Sequence, residues 1–182
     1  MSANILSEVV AGIREAAGDE DRSDRLRVIL KDSLADTGEI ADAIAATDQD
    51  EVLSFEDETC SAWTCRFSTD PVFPLRERRI PVHIAVFRGT EVQVLYKRAA
   101  GRLIHGGTKP VNAGDPITLG PKAIHAICGE GEVQSHAIHI YAGPLMLAER
   151  SLFDWETGAE VDFTMENFHA LTRRRSEMVE LR

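Results

Sequence analysis

The character of the sequence changes at Glu51, and this change constrains the fold more than any other feature. From there to Tyr141 the chain consists of short runs rich in Val, Ile, Thr and aromatic residues, separated by Gly, Pro and Asp. This pattern is typical of a meandering all-β unit that closes into a barrel or a jelly roll. The eight predicted strands are Val52–Phe55, Cys60–Ser68, Val82–Arg88, Val92–Arg98, Leu103–His105, Ile117–Leu119, Ala123–Cys128 and Ser135–Tyr141.

Two glycine-containing segments predict tight corners between these strands. The segment "RGTE", Arg88–Glu91, joins two apolar runs through a glycine, which can adopt a positive φ without a steric penalty. The segment "NAGDPITLGPKAIHAI" places Gly114 before one strand and Gly120 before the next. Both segments therefore indicate hairpin turns.

The residues before Glu51 predict amphipathic helices, because their apolar residues recur at helical spacing. Two stripes carry this signal: Ile5, Leu6, Val9, Val10 and Ile13 in the first, and Leu26, Ile29, Leu30 and Leu34 in the second. A third short helix is expected to begin with Thr37 as its N-cap. Each apolar stripe needs a surface to cover, so we expect these helices to lie across one face of the barrel.

After Leu147 the strand pattern loosens, and residues Met165–Met178 predict a final helix. Its basic run, Arg173–Arg175, is expected on a solvated face. The expected fold is therefore mainly β. We predict a helical segment over residues 1–47, a barrel over 48–148 and a C-terminal extension with a helix over 149–182, all in a single folded unit.

The charge and the cysteines of the chain argue against several classes of protein. Lys and Arg total 20 and Asp and Glu total 30, a formal net charge of −10 that repels nucleic acids and anionic membranes. No apolar run is long enough to cross a bilayer and no signal-peptide pattern is present, so we expect a cytoplasmic protein. Cys60, Cys65 and Cys128 have no CxxC spacing and favour free thiols over disulfides or a structural zinc.

The segment "AGDPITLGPKAIHAI", followed by "HAIHIYAGPL", resembles the second half of the cupins, the double-stranded β-helix proteins. More narrowly, the chain is similar to the branch of bacterial predicted metal-dependent enzymes related to cysteine dioxygenase. This similarity extends from the helix "LKDSLADTGEIADAIA" to "LFDWETGAEVDF", most of the chain. It implies a cupin-type double-stranded β-helix, a jelly-roll barrel, with the helices at its two ends.

The resemblance also implies an iron site of three histidines, an HxH pair and a later histidine. His125 matches the later ligand, but the HxH positions fall on Arg76 and Arg78 in "PLRERRIPVHIAVFRG". A guanidinium is always protonated and offers only donors, so it cannot ligate a divalent cation. We therefore expect the HxH motif to be degenerate, the family's metal site to be lost or altered, and no metal cofactor in that arrangement.

Alternatives remain open for this region. If the strand register is displaced, His83 could turn inward and join His125 and His139 as a triad for Fe(II) or another divalent transition metal. Arg76 and Arg78 share one face of a strand and could clamp a carboxylate or phosphate. The run "RERR" could equally be a solvated loop outside the barrel.

The segment "SHAIHIYAG" places Ala137, His139 and Tyr141 on one face of a strand and His136 on the other. By the resemblance, the pair His139 and Tyr141 matches an HxY element beside the iron that relays protons. Relatives often carry serine where this chain has Ala137, which puts the outer hydrogen bond of that relay in doubt. The alternative for His139 and Tyr141 is a packed pair whose polar tips bond the backbone.

Three hypotheses for function follow. The preferred one is an enzyme that acts on a small anionic organic substrate, with His125, His139 and Tyr141 catalytic and the substrate held by Arg76, Arg78 or Arg66. The second is an Fe(II)-dependent thiol dioxygenase that uses the displaced histidine triad. The third is a cupin that binds a ligand without catalysis. We also expect a homodimer that forms through an apolar sheet face.

Overall fold

The computed structural model describes residues 2–181, with the backbone alone for residues 2–4; Met1 and Arg182 lie outside the described residues. Its α-helices are α1 (Ser2–Ala17), α2 (Arg22–Ser33), α3 (Thr37–Ala45) and α4 (Met165–Leu171). Its strands are β1 (Glu51–Glu56), β2 (Ser61–Phe67), β3 (Phe73–Glu77), β4 (Val82–Arg88), β5 (Thr90–Ala99), β6 (Arg102–Asn112), β7 (Ile117–Leu119), β8 (Ile124–Glu130), β9 (Ser135–Tyr141), β10 (Ser151–Phe153) and β11 (Glu160–Asp162).

The strands form two antiparallel sheets, in the orders β1-β2-β9-β4-β7 and β11-β10-β3-β8-β5-β6. Strands β2 to β5 alternate between the two sheets, and so do β6 to β9, which winds the chain into a double-stranded β-helix. The predicted mainly-β, cupin-type jelly roll is therefore confirmed. All eight predicted strands are present, although β6 runs much further than Leu103–His105. The sequence did not predict β10 and β11 and did not define β3.

The N-terminal helices cover the outer face of the five-stranded sheet, as predicted. Their buried residues form one cluster with alternate residues of β2, β4 and β9, among them Ile138 and Ile140. Leu26 and Ile13 are fully buried there. The predicted N-cap Thr37 is instead the first residue of α3, with Asp36 as the N-cap, and its hydroxyl donates to the carbonyl of Leu34 at 2.5 Å.

The C-terminal extension covers the outer face of the six-stranded sheet. Phe153 and Met178 are buried against the outward residues of β5 and β8, including Val92 and Cys128. No helix among residues 2–181 has both the length and the apolar character needed to cross a bilayer.

The predicted final helix, Met165–Met178, is too long. It ends at Leu171, because Thr172 adopts an extended conformation and Arg173 then pairs with Val72 as an isolated β-bridge. The basic run therefore does not lie on a solvated helix face. Arg175 instead donates to the carbonyl of Gly129 at 3.2 Å and pairs with Glu130 at 3.0 Å, which fastens the extension to β8.

The corner between β4 and β5 is confirmed as a glycine turn. Gly89 has φ +69°, and a Cβ there would lie 2.8 Å from the carbonyl oxygen of Gln134. Only glycine satisfies both the backbone conformation and this close approach. The turn after β6 uses Gly114, which also has a positive φ.

Candidate functional site

Strand alternation decides which side chains enter the barrel. Leu75 belongs to the apolar cluster on the outer face of the six-stranded sheet, so its neighbour Arg76 points into the barrel. Arg76 lies in register with His125 of β8, and both side chains are buried. On β9, Ala137 and Tyr141 belong to the interior cluster, which places His139 on the same inward face. The predicted alternation of β9 is thereby confirmed.

Arg76 and Arg78 lie inside the barrel, and the interpretation of this pair as a solvated loop is wrong. Their exposed fractions are 2% and 8%. The Nε and Nη1 atoms of Arg76 and the Nε atom of Arg78 have no hydrogen-bond acceptor among the described residues. Burial, and then the charge of Arg78, lowers the pKa of Arg76 to about 10. The solvated member of "RERR" is Arg79, which pairs with Glu149 at 2.9 Å and Glu160 at 2.7 Å.

Both arginines line a cavity of about 240 Å³ that opens between the barrel and the C-terminal extension. The polar lining side chains are Glu51, Trp63, Arg76, Arg78, Tyr141 and Arg150. The apolar lining comes mainly from the segment after β9, namely Leu145, Met146, Phe163, Met165 and Phe168. The sequence did not predict this wall, because the segment after β9 has no periodic apolar pattern.

The third cationic group at the cavity, Arg150, was also missed. Its guanidinium carbon lies 4.1 Å from the ring centroid of Phe163, and that of Arg78 lies 5.3 Å from the ring centroid of Tyr141. Burial, and then repulsion by Arg78, lowers the pKa of Arg150. Three guanidinium groups therefore converge on one cavity, and aromatic faces partly compensate their charge.

A chain of hydrogen bonds runs through the barrel behind these arginines. The Nε2 atom of His139 lies 2.8 Å from Oε2 of the fully buried Glu91. The side-chain amide of Gln93 donates to Oε1 of Glu91, and its oxygen contacts Nδ1 of His125. Because the amide nitrogen of Gln93 donates to Glu91, its oxygen accepts from His125, which places the proton of His125 on Nδ1 and leaves the lone pair on Nε2.

Glu91 and Gln93 were not predicted as site residues, although the sequence carries a signal for them. In "TEVQVLY" they alternate with Val92 and Val94 on a strand. Polar residues that alternate with valines suggest a solvated outer face, but here Val92 and Val94 face outward, under the C-terminal extension. Because both faces of this sheet are covered, the polar pair lies inside the barrel.

Two buried acid–base groups, His125 and Tyr141, are held in their neutral forms. Burial, followed by the charges of Arg76 and Arg78, holds the pKa of His125 well below its ordinary value, so its imidazole is neutral at pH 7. Burial raises the pKa of Tyr141, so its phenol keeps its proton. Tyr141 lines the cavity, whereas His125 and His139 are absent from the described lining and lie deeper in the barrel.

Two predicted site residues lie outside the barrel interior. Arg66 is on the outer face of β2, where it pairs with Asp50 at 3.0 Å and donates to the carbonyl of Ala45. It cannot hold a substrate in the cavity. His83 points outward from β4 toward α2, with its ring nitrogens 3.0 Å from the hydroxyl of Ser23 and 2.8 Å from that of Thr118. The displaced triad of His83, His125 and His139 is therefore wrong.

The interior does not fit the three-histidine iron site that the sequence resemblance implies. Two of the required positions carry the guanidinium groups of Arg76 and Arg78, which cannot be ligands. His125 and His139 supply only two imidazoles, and Glu91 already bonds one of them. Within residues 2–181 no group of three or more His, Cys, Asp or Glu side chains is arranged to hold a metal ion.

Comparison with solved structures finds double-stranded β-helix proteins. A cupin-family protein from Methanocaldococcus jannaschii is 11% identical, with a TM-score of 0.43 over 54% of this chain and 86% of its own. An uncharacterized conserved protein from Klebsiella pneumoniae is 13% identical, with a TM-score of 0.46 over 58% and 81%. The cupin domain of Cnp3 from Schizosaccharomyces pombe is 9% identical, with a TM-score of 0.46 over 57% and 68%. No protein-family model and no curated protein sequence matches the chain.

Proposed function

We propose that the protein binds a small organic anion in the barrel cavity and that Arg76 and Arg78 hold its charged group. One observation carries this proposal: two buried guanidinium groups have N–H donors without an acceptor in the described part of the chain. An unpaired buried cation costs several kcal/mol even after relaxation. A bound carboxylate or phosphate offsets that penalty, since it accepts paired hydrogen bonds from a guanidinium.

Catalysis on the bound anion is a second candidate function, favoured by the hydrogen-bonded chain behind the cavity. The protonated phenol of Tyr141 stands at the cavity wall as a proton donor. His125 is neutral, so its Nε2 is a candidate base, and it lies behind the described cavity lining, in register with Arg76. The cysteine dioxygenase-like alternative has less support, because guanidinium groups occupy two of its ligand positions.

Titration calorimetry at pH 7 with benzoate and with inorganic phosphate tests the anion site. We expect at least one of the two anions to bind, and Arg76→Gln to weaken its binding by about ten-fold or more, since a hydrogen bond to a charged group contributes about 1.5–3 kcal/mol. Arg66→Gln is the matched control, because Arg66 is an arginine of the same barrel that faces away from the cavity. Unchanged affinity in Arg76→Gln, or an equal loss in Arg66→Gln, contradicts the proposal.

Proton exchange on a 2-oxo acid tests the catalytic candidate. Removal of a proton from carbon 3 of 2-oxobutanoate in D₂O introduces deuterium at that carbon, which NMR detects. We expect exchange to be accelerated by the wild type and lost in Tyr141→Phe and His125→Gln. Binding of the acid without accelerated exchange supports the non-catalytic function.

A further inference from the structure

The cavity has two chemically different ends. Its charged end is closed, because Arg76 and Arg78 are 2% and 8% exposed. Its other end carries methionines that line the cavity and are also open to solvent, Met146 at 52% exposure and Met165 at 60%. Because both methionines also line the cavity, they form an apolar surface at its mouth that a ligand in the cavity can cover.

Apolar side chains connect these two ends. Leu145 is buried in the cavity wall, and Phe163 and Phe168 line the same cavity with their ring centroids 6.0 Å apart. The guanidinium carbons of Arg78 and Arg150 lie 6.0 Å and 4.1 Å from the ring centroid of Phe163. The apolar wall therefore begins directly beside the cationic groups and continues to the solvent.

The apolar mouth of the cavity favours a ligand with a single charge. Glu51, the one acidic side chain of the described lining, lies opposite the buried Cys65 in the register of β1 and β2. Burial lowers the pKa of Arg76 and the charge of Glu51 opposes that effect, so Glu51 belongs with the charged end of the cavity. A second negative charge at the far end of a ligand would meet the two methionines, which is unfavourable for an anion.

We propose that the ligand is a monoanionic amphiphile, with its charged head at Arg76 and Arg78 and an unbranched hydrocarbon tail that leaves between Met146 and Met165. This inference rests on the proposed function, because it assumes that the arginines hold the anion. It adds that the tail contributes to affinity through burial against the wall formed by Leu145, Phe163 and Phe168. The tail end covers apolar surface that is otherwise exposed.

A chain-length series of straight-chain carboxylates, from acetate to decanoate, tests this inference by calorimetry at pH 7. We expect affinity to rise about three- to four-fold per methylene while the tail lies within the cavity, and to level off once it passes the methionines. Octanedioate should bind at least ten-fold more weakly than octanoate, because its second carboxylate reaches the apolar mouth.

The double variant Met146→Ser/Met165→Ser should make affinity rise less steeply with chain length for the longer carboxylates. Val133→Ser is the matched control, because Val133 is an apolar side chain of similar exposure, 55%, that does not line the cavity in the described structure. Affinity that does not depend on chain length, or octanedioate binding as tightly as octanoate, overturns the inference and leaves the anion site standing. Absence of binding by every carboxylate and by inorganic phosphate contradicts the proposed function as well.

Discussion

Arg76 and His125 lie in register on the neighbouring antiparallel strands β3 and β8, with both side chains buried inside the barrel. The cation of Arg76 adds to the effect of burial in holding the pKa of His125 well below its ordinary value. The imidazole therefore adds no charge to an interior that already contains two guanidinium groups. This arrangement concentrates positive charge where a ligand can reach it, beside a neutral base.

His125 makes the stability of the protein depend on pH. Its folded-state pKa lies below the ordinary value of 6.5. Between these two values the unfolded chain binds a proton that the folded protein does not, so the free energy of unfolding rises with pH across that window. The contribution of His125 reaches its full value above pH 6.5. We expect stability to decrease as the pH falls below 6.5, by up to about 1.4 kcal/mol per pH unit from this residue.

Urea denaturation at a series of pH values measures this dependence. His125→Gln should make the decrease below pH 6.5 shallower, although not abolish it, because burial also lowers the pKa values of His83 and His136. A profile that His125→Gln does not alter would show that this imidazole is not buried in its neutral form.

Glu91 holds the interior network together. It is fully buried and bonds both His139 and Gln93. Glu91→Ala should lower the free energy of unfolding by about 2–4 kcal/mol, because it leaves two buried polar partners unsatisfied. Glu132→Ala, at an exposed position of the turn between β8 and β9, should change it by less than about 0.5 kcal/mol. Similar effects of the two substitutions in denaturant titrations would argue against a structural role for the network.

Alanine substitutions at two glycines with positive φ distinguish the effect of backbone strain on stability from the effect of steric crowding. Gly89→Ala should destabilise the protein by about 1–3 kcal/mol, because alanine is strained at φ +69° and its Cβ would lie 2.8 Å from the carbonyl oxygen of Gln134. At Gly114, with φ +94°, a Cβ would meet no described atom within 4 Å. Gly114→Ala should therefore destabilise less, by the conformational contribution alone. Thermal unfolding compares the two variants, and a larger loss for Gly114→Ala would contradict this explanation.

The strands of the barrel could be predicted because alternation and turn glycines are local signals. β9 shows this, since the two faces assigned to His136 and His139 are those observed. β3 was harder to define, because Pro74 and the charged run that follows interrupt the pattern. The final helix was predicted too long, because its sequence does not reveal that Arg173 pairs with Val72.

The candidate site could be predicted only where it depends on the alternation of side chains along a strand. Alternation placed Arg76 and Arg78 on one face, but whether that face is inside the barrel depends on contacts distant in sequence. The same limit explains why His83 was wrongly predicted, in the displaced triad, to point inward, since its partners Ser23 and Thr118 come from α2 and β7. Arg150 could not be predicted, because it reaches the cavity from an irregular segment.

The most direct test of the anion site is the free energy of unfolding of Arg76→Met, measured by urea titration with and without octanoate. It asks whether Arg76 is an unpaired buried cation that binds an anion. Without ligand, we expect the variant to be about 1–3 kcal/mol more stable than the wild type, because methionine removes the penalty for an unpaired buried charge. Saturating octanoate, at about 100 times its dissociation constant for the wild type, should stabilise the wild type by about 2.7 kcal/mol and the variant by much less. A variant that is less stable than the wild type without ligand and equally stabilised by octanoate would contradict the account.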